Sequence, residues 1–203
     1  MQYLILMLSF IMSMIINTLI LDALMDIFKL MMDVVYLLNR ITLTFFLYYL
    51  IKYFYDKYRN KKIDKEYLVK NVAIIYFVWL IGLLFGRTTS LPQYNLMSHF
   101  NFSSYLPYWF HHLDNYLVLL YIIGNIVVFI PFGLLLRYYF RFLTSFLICI
   151  GLILFFETMQ GVTNLGYFDI DDIILNSIGG LLGIIIMTIK ATYFKRKYVL
   201  MGK

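Results

Sequence analysis

One cysteine, three prolines, three alanines and a 14% share of charged residues are what this 203-residue chain has little of, and each scarcity narrows what it can be. Cys149 has no partner in the chain, so no intrachain disulfide can form and cysteine usage carries no redox signal. A soluble domain carries roughly 25% charged residues, and no polar stretch here reaches the roughly 50 residues such a domain needs. Glycine-rich phosphate loops, a Ser-His-Asp order, HExxH and CxxC are absent, as are the repeats with paired broken helices that mark many transporters.

What is abundant is apolar sequence: 63% of residues are hydrophobic and the mean hydropathy is +0.82. Long apolar runs alternate with short charged joints from end to end. The runs are continuous and rich in Leu, Ile and Phe, which excludes the alternating polarity of a transmembrane β-barrel. The expected fold is therefore all-α, a polytopic transmembrane helical bundle forming a single membrane domain over 1–203. Six segments, about 3–21, 34–55, 68–86, 116–136, 142–160 and 173–190, come close to the ~20 residues needed to cross ~30 Å of hydrocarbon. Between the first two, Asp22, Asp26, Lys29 and Asp33 recur in an amphipathic stretch that predicts a short interfacial turn or helix, and Arg40 stands inside the second span. No Lys or Arg precedes the first span and no small-residue cleavage pattern follows it, so it reads as a retained helix.

Orientation follows from the cations. Joint 52–70, joint 137–141 and the tail from Lys190 hold fourteen of the seventeen Lys and Arg residues, whereas joints 22–33, 87–115 and 161–172 contain only Lys29 and Arg87. The positive-inside rule then places both termini in the cytoplasm. The same rule accounts for the basic runs without a nucleic-acid or anionic-lipid ligand, so the net charge of +6 identifies no partner; membrane lipids are expected as partners because the chain spans the bilayer. Joint 87–115 is thereby external, with Pro92 and Pro107 and with Tyr105, Tyr108, Trp109 and Phe110 suited to the headgroup layer. His99, His111 and His112 lie there too, without the i, i+4 spacing of a helical metal site, and read as solvated or interfacial.

The informative residues of a membrane chain are its costly ones, since an ionised carboxylate at mid-bilayer costs at least ~2.5 kcal/mol and needs a partner or a wet cavity. Glu157 lies in the outer third of span five, with Gln160 on the same face three residues on. Asn125 in span four and Asn176 in span six lie at comparable levels. Asp169, Asp171 and Asp172 sit immediately outside span six. Helix capping explains one of them, or two; three within four residues repel one another unless a cation, a basic ligand or a bound proton relieves them. Pro131 is expected to kink span four, and Gly179 and Gly183, in GxxxG spacing, admit close approach of another helix.

NIVVFIPFG at 125–133, ETMQ at 157–160 and FDIDDIILNSIGGLLG at 168–183 resemble, in order and spacing, the signature of the VanZ-like membrane proteins. The resemblance covers the last three spans, 116–190, while 1–86 carries no recognised motif. It puts Asn125, Pro131, Phe132, Gly133, Glu157, Gln160, Asp169, Asp172, Asn176, Gly179 and Gly183 at the marked positions. Gly166 stands where many members have Arg, which leaves loop 161–172 without a positive residue. Membership implies a multi-pass protein of the bacterial plasma membrane that contributes to resistance against teicoplanin-like glycopeptides or related envelope-targeting antibiotics. Scarce alanine with abundant Ile, Lys, Tyr and Asn fits the AT-rich genome of a low-GC Gram-positive bacterium.

Two functions from different classes are compatible with this pattern. One is a non-enzymatic envelope protein whose partner is a lipid-linked cell-wall precursor or the glycopeptide itself. The other is a membrane-embedded enzyme acting on an envelope lipid or lipid-linked saccharide. Its catalytic candidates are Glu157, Asp169 and Asp172, its binding candidates Asn125, Gln160, Asp171 and Asn176, and its structural residues Pro131, Gly133, Gly179 and Gly183. Whether a metal joins the carboxylates, which cofactor is used and how many copies assemble are left open by the residues.

Overall fold

The structure, a computed structural model, describes residues 1–28, 33–86, 100–163 and 165–201, with the side chains of 27–28 and 194–201 left aside. The chain folds as two units, 1–91 and 92–203. Six helices among the described residues are long and apolar enough to cross a membrane, and exposed Leu143, Leu147, Phe155 and Ile189 show the faces that suit lipid. The protein is a multi-pass helical membrane protein.

In the N-terminal unit, helix α1 (Gln2–Ile16) passes through a π-helical turn, Asn17–Leu21, directly into α2 (Asp22–Phe28). Where a short interfacial turn or helix was expected at 22–33, the described residues form the short helix α2, which continues the first apolar helix so that the candidate span reaches from Gln2 to Asp26. Asp22 interrupts the apolar run, but within the unit it faces Arg40 and so remains helical. Helix α3 (Asp33–Tyr58) follows, and α4 (Lys65–Phe85) packs on it, with Asn39 Oδ1 accepting from Trp79 Nε1 at 2.9 Å. The connection is built from local chemistry. Asn60 takes φ 53°, the left-handed conformation that ends helices, and the Asp64 carboxylate caps α4 by accepting from the Tyr67 amide at 3.0 Å. Lys29 and Arg87 lie outside the described residues.

In the C-terminal unit, strand β1 (Phe100–Asn101) and the short helix α5 (Leu106–His111) precede α6 (Tyr116–Tyr139). Helix α7 (Phe142–Thr163), strand β2 (Phe168–Asp169) and helix α8 (Ile170–Met201) complete it. Helix α8 begins three residues earlier than the apolar run suggests, so Asp171 and Asp172 belong to its first turn. Helices α7 and α8 pack on α6 and on each other around buried Phe129, Phe132, Ile153, Leu175 and Ile184. Glycine sets the α6–α8 distance. A Cβ at Gly179 would strike the Ile126 carbonyl, one at Gly183 the Ile130 carbonyl, and one at Gly133 the Gly180 carbonyl, so the two backbones touch. On the α7 side Gly180 meets the Sγ of buried Cys149. Helix α6 continues through Pro131.

Candidate functional site

At one end of the C-terminal unit the polar residues singled out from sequence come together through backbone elements distant in the chain. Strands β1 and β2 pair in parallel, Phe100 with Phe168 and Asn101 with Asp169, which brings the segment before α5 onto the start of α8. Aromatic packing supports this two-residue ladder: the Phe168 ring lies 5.4 Å from Phe100 and 5.3 Å from Phe102, centroid to centroid. Gly161 of α7 leaves room for the cluster, since a Cβ there would sit 3.0 Å from the Phe100 ring.

Each carboxylate has its own set of donors. Glu157, 1% exposed on α7, accepts from Asn176 Nδ2 at 3.3 Å through Oε1 and from the Asp169 amide at 3.4 Å through Oε2. Asp169 Oδ1 accepts from the Asp171 amide at 2.9 Å and so caps α8. Asp171, fully buried, accepts from Ser104 Oγ at 2.6 Å and from the Tyr105 amide at 2.8 Å. Asp172 Oδ1 accepts from both Tyr121 at 2.6 Å and Asn125 Nδ2 at 2.8 Å. The three aspartates thus point to three destinations, the helix cap, the 104–105 backbone and α6. The trio is held apart by separate hydrogen bonds, although Asp171 and Asp172 still act repulsively on Asp169. Burial, more than its acidic neighbours, pushes the Asp169 carboxyl above its usual range, while the Asp171 amide works in the opposite direction.

Gln160 is buried one turn beyond Glu157, and Gly166 lies against it, with a hypothetical Cβ 3.1 Å from the Gln160 Cβ. Among the described residues no three His, Cys, Asp or Glu side chains are arranged to hold a metal ion. His112 is spent on its own helix: its ring lies 4.1 Å from that of Tyr108 and its Nδ1 2.8 Å from the Tyr108 carbonyl. His99 lies outside the described residues.

Tyr121, Ser104 and Asn101 take part in this network and are not among the sequence candidates. Tyr121 had a usable signal, since it sits four residues before Asn125 and shares its helical face. Ser104 and Asn101 had none, because only the non-local strand pairing brings them to α8.

The sequence profile of the VanZ/LLP1 family matches residues 34–191, more than three quarters of the chain. The chain belongs to the VanZ/LLP1 family. Protein VanZ of Enterococcus faecium is 36% identical over 124 residues, covering 58% of this chain and 71% of that relative. No solved structure matches. The family match reaches back to the start of α3, well before the motif-bearing spans 116–190. It takes in every residue of the polar network just described, and with it the chain is a multi-pass bacterial membrane protein.

Proposed function

We propose that the protein lowers the susceptibility of a Gram-positive envelope to teicoplanin-like glycopeptides, and that the network around Glu157 and Asp172 is the site through which it acts. Family membership carries the antibiotic class. The cation bias of the joints supports an outward position for the network, at the level where such antibiotics meet lipid-linked wall precursor. Binding suits the geometry better than metal catalysis does. Asp171 and Asp172 are each held by two neutral donors at 2.6–2.8 Å, an arrangement that fixes shape.

One observation favours an enzyme acting on an envelope lipid as the second function. Glu157 is buried and accepts two long hydrogen bonds, at 3.3 and 3.4 Å, and a general acid or base needs a carboxyl whose bonding can change during reaction. Inhibitory concentrations of teicoplanin, measured in a susceptible Gram-positive host expressing the chain, test the antibiotic class; no rise over the empty host refutes it. Glu157→Gln then separates the mechanisms, because it keeps shape and one acceptor but removes proton transfer. A well-expressed Glu157→Gln protein that retains the phenotype supports binding, and one that loses it supports acid or base chemistry.

A further inference from the structure

The N-terminal unit has a buried polar cluster of its own, on a helix that precedes the segment matched by the family profile. Along α1 the buried positions fall every four residues, at Ile5, Ser9, Ser13 and Asn17. An uninterrupted α-helix would continue that face with Leu21. The π turn lengthens one turn by a residue, the Asp22 amide donating to the Asn17 carbonyl five residues back, and it leaves Leu21 and Asp22 both half-buried, with Asp22 turned towards α3. There its carboxylate meets the Arg40 guanidinium of α3. Ionisable residues inside a membrane span are rare and commonly mark functional positions, and π turns are often found at such places.

Hydrogen bonding around this pair is one-sided. Ser13 Oγ donates to the Arg40 carbonyl at 2.9 Å, and Asn17 Nδ2 donates to the Ser13 carbonyl at 2.8 Å and to Ser13 Oγ at 3.2 Å. A carbonyl only accepts, so the amide nitrogen of Asn17 has to face Ser13, and its Oδ1 is forced to the other side. That Oδ1 belongs to a wholly buried residue and has no donor; the same holds for the buried Oδ1 of Asp22, whose sister oxygen takes Arg40. Two acceptors without donors therefore stand one π turn apart, beside a guanidinium that has spent only its Nη2 on the protein. A buried acceptor with no partner costs on the order of 1–3 kcal/mol, and such groups in proteins are normally satisfied by ordered water.

We propose that α1, α2 and α3 enclose a second polar site at the π turn, occupied by water or an equally small neutral hydrogen-bond donor. One water molecule supplies a donor to each of the two unpartnered acceptors. It donates to Asn17 Oδ1 and Asp22 Oδ1 and accepts from Arg40, the three bonds typical of a buried water. A metal cation does not suit the site, because Arg40 already neutralises Asp22 and an added charge would be left unbalanced in apolar surroundings. The N-terminal spans would then carry a hydrated, charge-bearing centre distinct from the network of the C-terminal unit.

Thiol chemistry tests this, because only the thiolate reacts and thiolates form where water reaches them. In a Cys149→Ala chain in membranes, Asn17→Cys should react with a small methanethiosulfonate ammonium reagent at least about tenfold faster than Ile15→Cys or Leu19→Cys, whose exposed side chains lie at neighbouring depths on the apolar face. Equal or slower reaction at position 17 overturns the proposal. A second measurement needs no substitution in the cluster: in the natural chain labelled with nitrogen-15 asparagine, the Asn17 side-chain amide should show magnetisation transfer from water. A resolved Asn17 signal without that transfer overturns the proposal equally.

Discussion

Replacing Asp172 by leucine removes the single oxygen on which two donors of α6 converge. The Tyr121 hydroxyl and the Asn125 amide reach Asp172 Oδ1 at 2.6 and 2.8 Å, and both bonds are to a carboxylate. Hydrogen bonds to charged groups contribute about 1.5–3 kcal/mol each, and leucine restores the volume without restoring an acceptor. All three residues are half-buried, so water can reach part of the stranded donors and the lower end of that range applies. The expected loss is about 3 kcal/mol for Asp172→Leu and about 1.5 kcal/mol for Tyr121→Phe. The two changes share one bond, so the double variant should lose about 1.5 kcal/mol less than the sum of the singles. Reversible unfolding in bicelles, followed by steric trapping, measures all three. Losses that add to within about 0.5 kcal/mol would show that the contact is geometric and not energetic, and would refute the reasoning.

Three further outcomes are expected. With Cys149 replaced, an impermeant maleimide should label Ser103→Cys in intact cells and leave Asn60→Cys unlabelled; the reverse pattern would overturn the orientation drawn from the cations. Gly183→Ile should lower stability by at least about 1–3 kcal/mol, because its side chain would meet the α6 backbone. Gly151→Ala, with nothing within 4 Å of its new Cβ, should be tolerated, and melting in detergent compares the two. The Asp169 carboxyl is held above its ordinary value of 3.8, so the folded chain binds that proton more tightly than the unfolded one. This contribution is present in full below 3.8 and is lost as pH rises towards the raised folded value; Asp169→Asn should flatten that decline in a profile of Tm against pH.

The six spans were legible because hydropathy and length suffice for a helix surrounded by lipid, where every backbone group must bond within its own segment. The direct continuation of the first span into α2 was less legible, for an equally physical reason. Asp22 looks like an interfacial residue until its partner is known, and that partner, Arg40, lies on another helix. Glu157, Gln160, Asn125 and Asn176 stood out because each is expensive in an apolar run, and the aspartates because three of them crowd within four residues. Their division into separate hydrogen-bonded groups did not, since the division depends on Ser104 and Tyr105 arriving through the pairing of β1 with β2. Tyr121 was legible only through its i, i+4 spacing to Asn125, because tyrosine is common near the headgroup layer and residue type alone did not set it apart.

The glycine seam between α6 and α8 also sets how firmly the parts of this end of the protein are held to one another. Where backbone rests on backbone at Gly133, Gly179 and Gly183, there is no side chain to swing aside, and the two helices behave as one beam. The segment 100–105 is fastened differently, by the two-residue ladder and by the bonds from Ser104 and the Tyr105 amide to Asp171. Parting 100–105 from α8 would therefore break the ladder, the Phe100–Phe168 packing and the two bonds to Asp171 while leaving the glycine seam untouched. Asp171, the carboxylate that sequence alone offered only as a ligand, is what fastens that segment to α8.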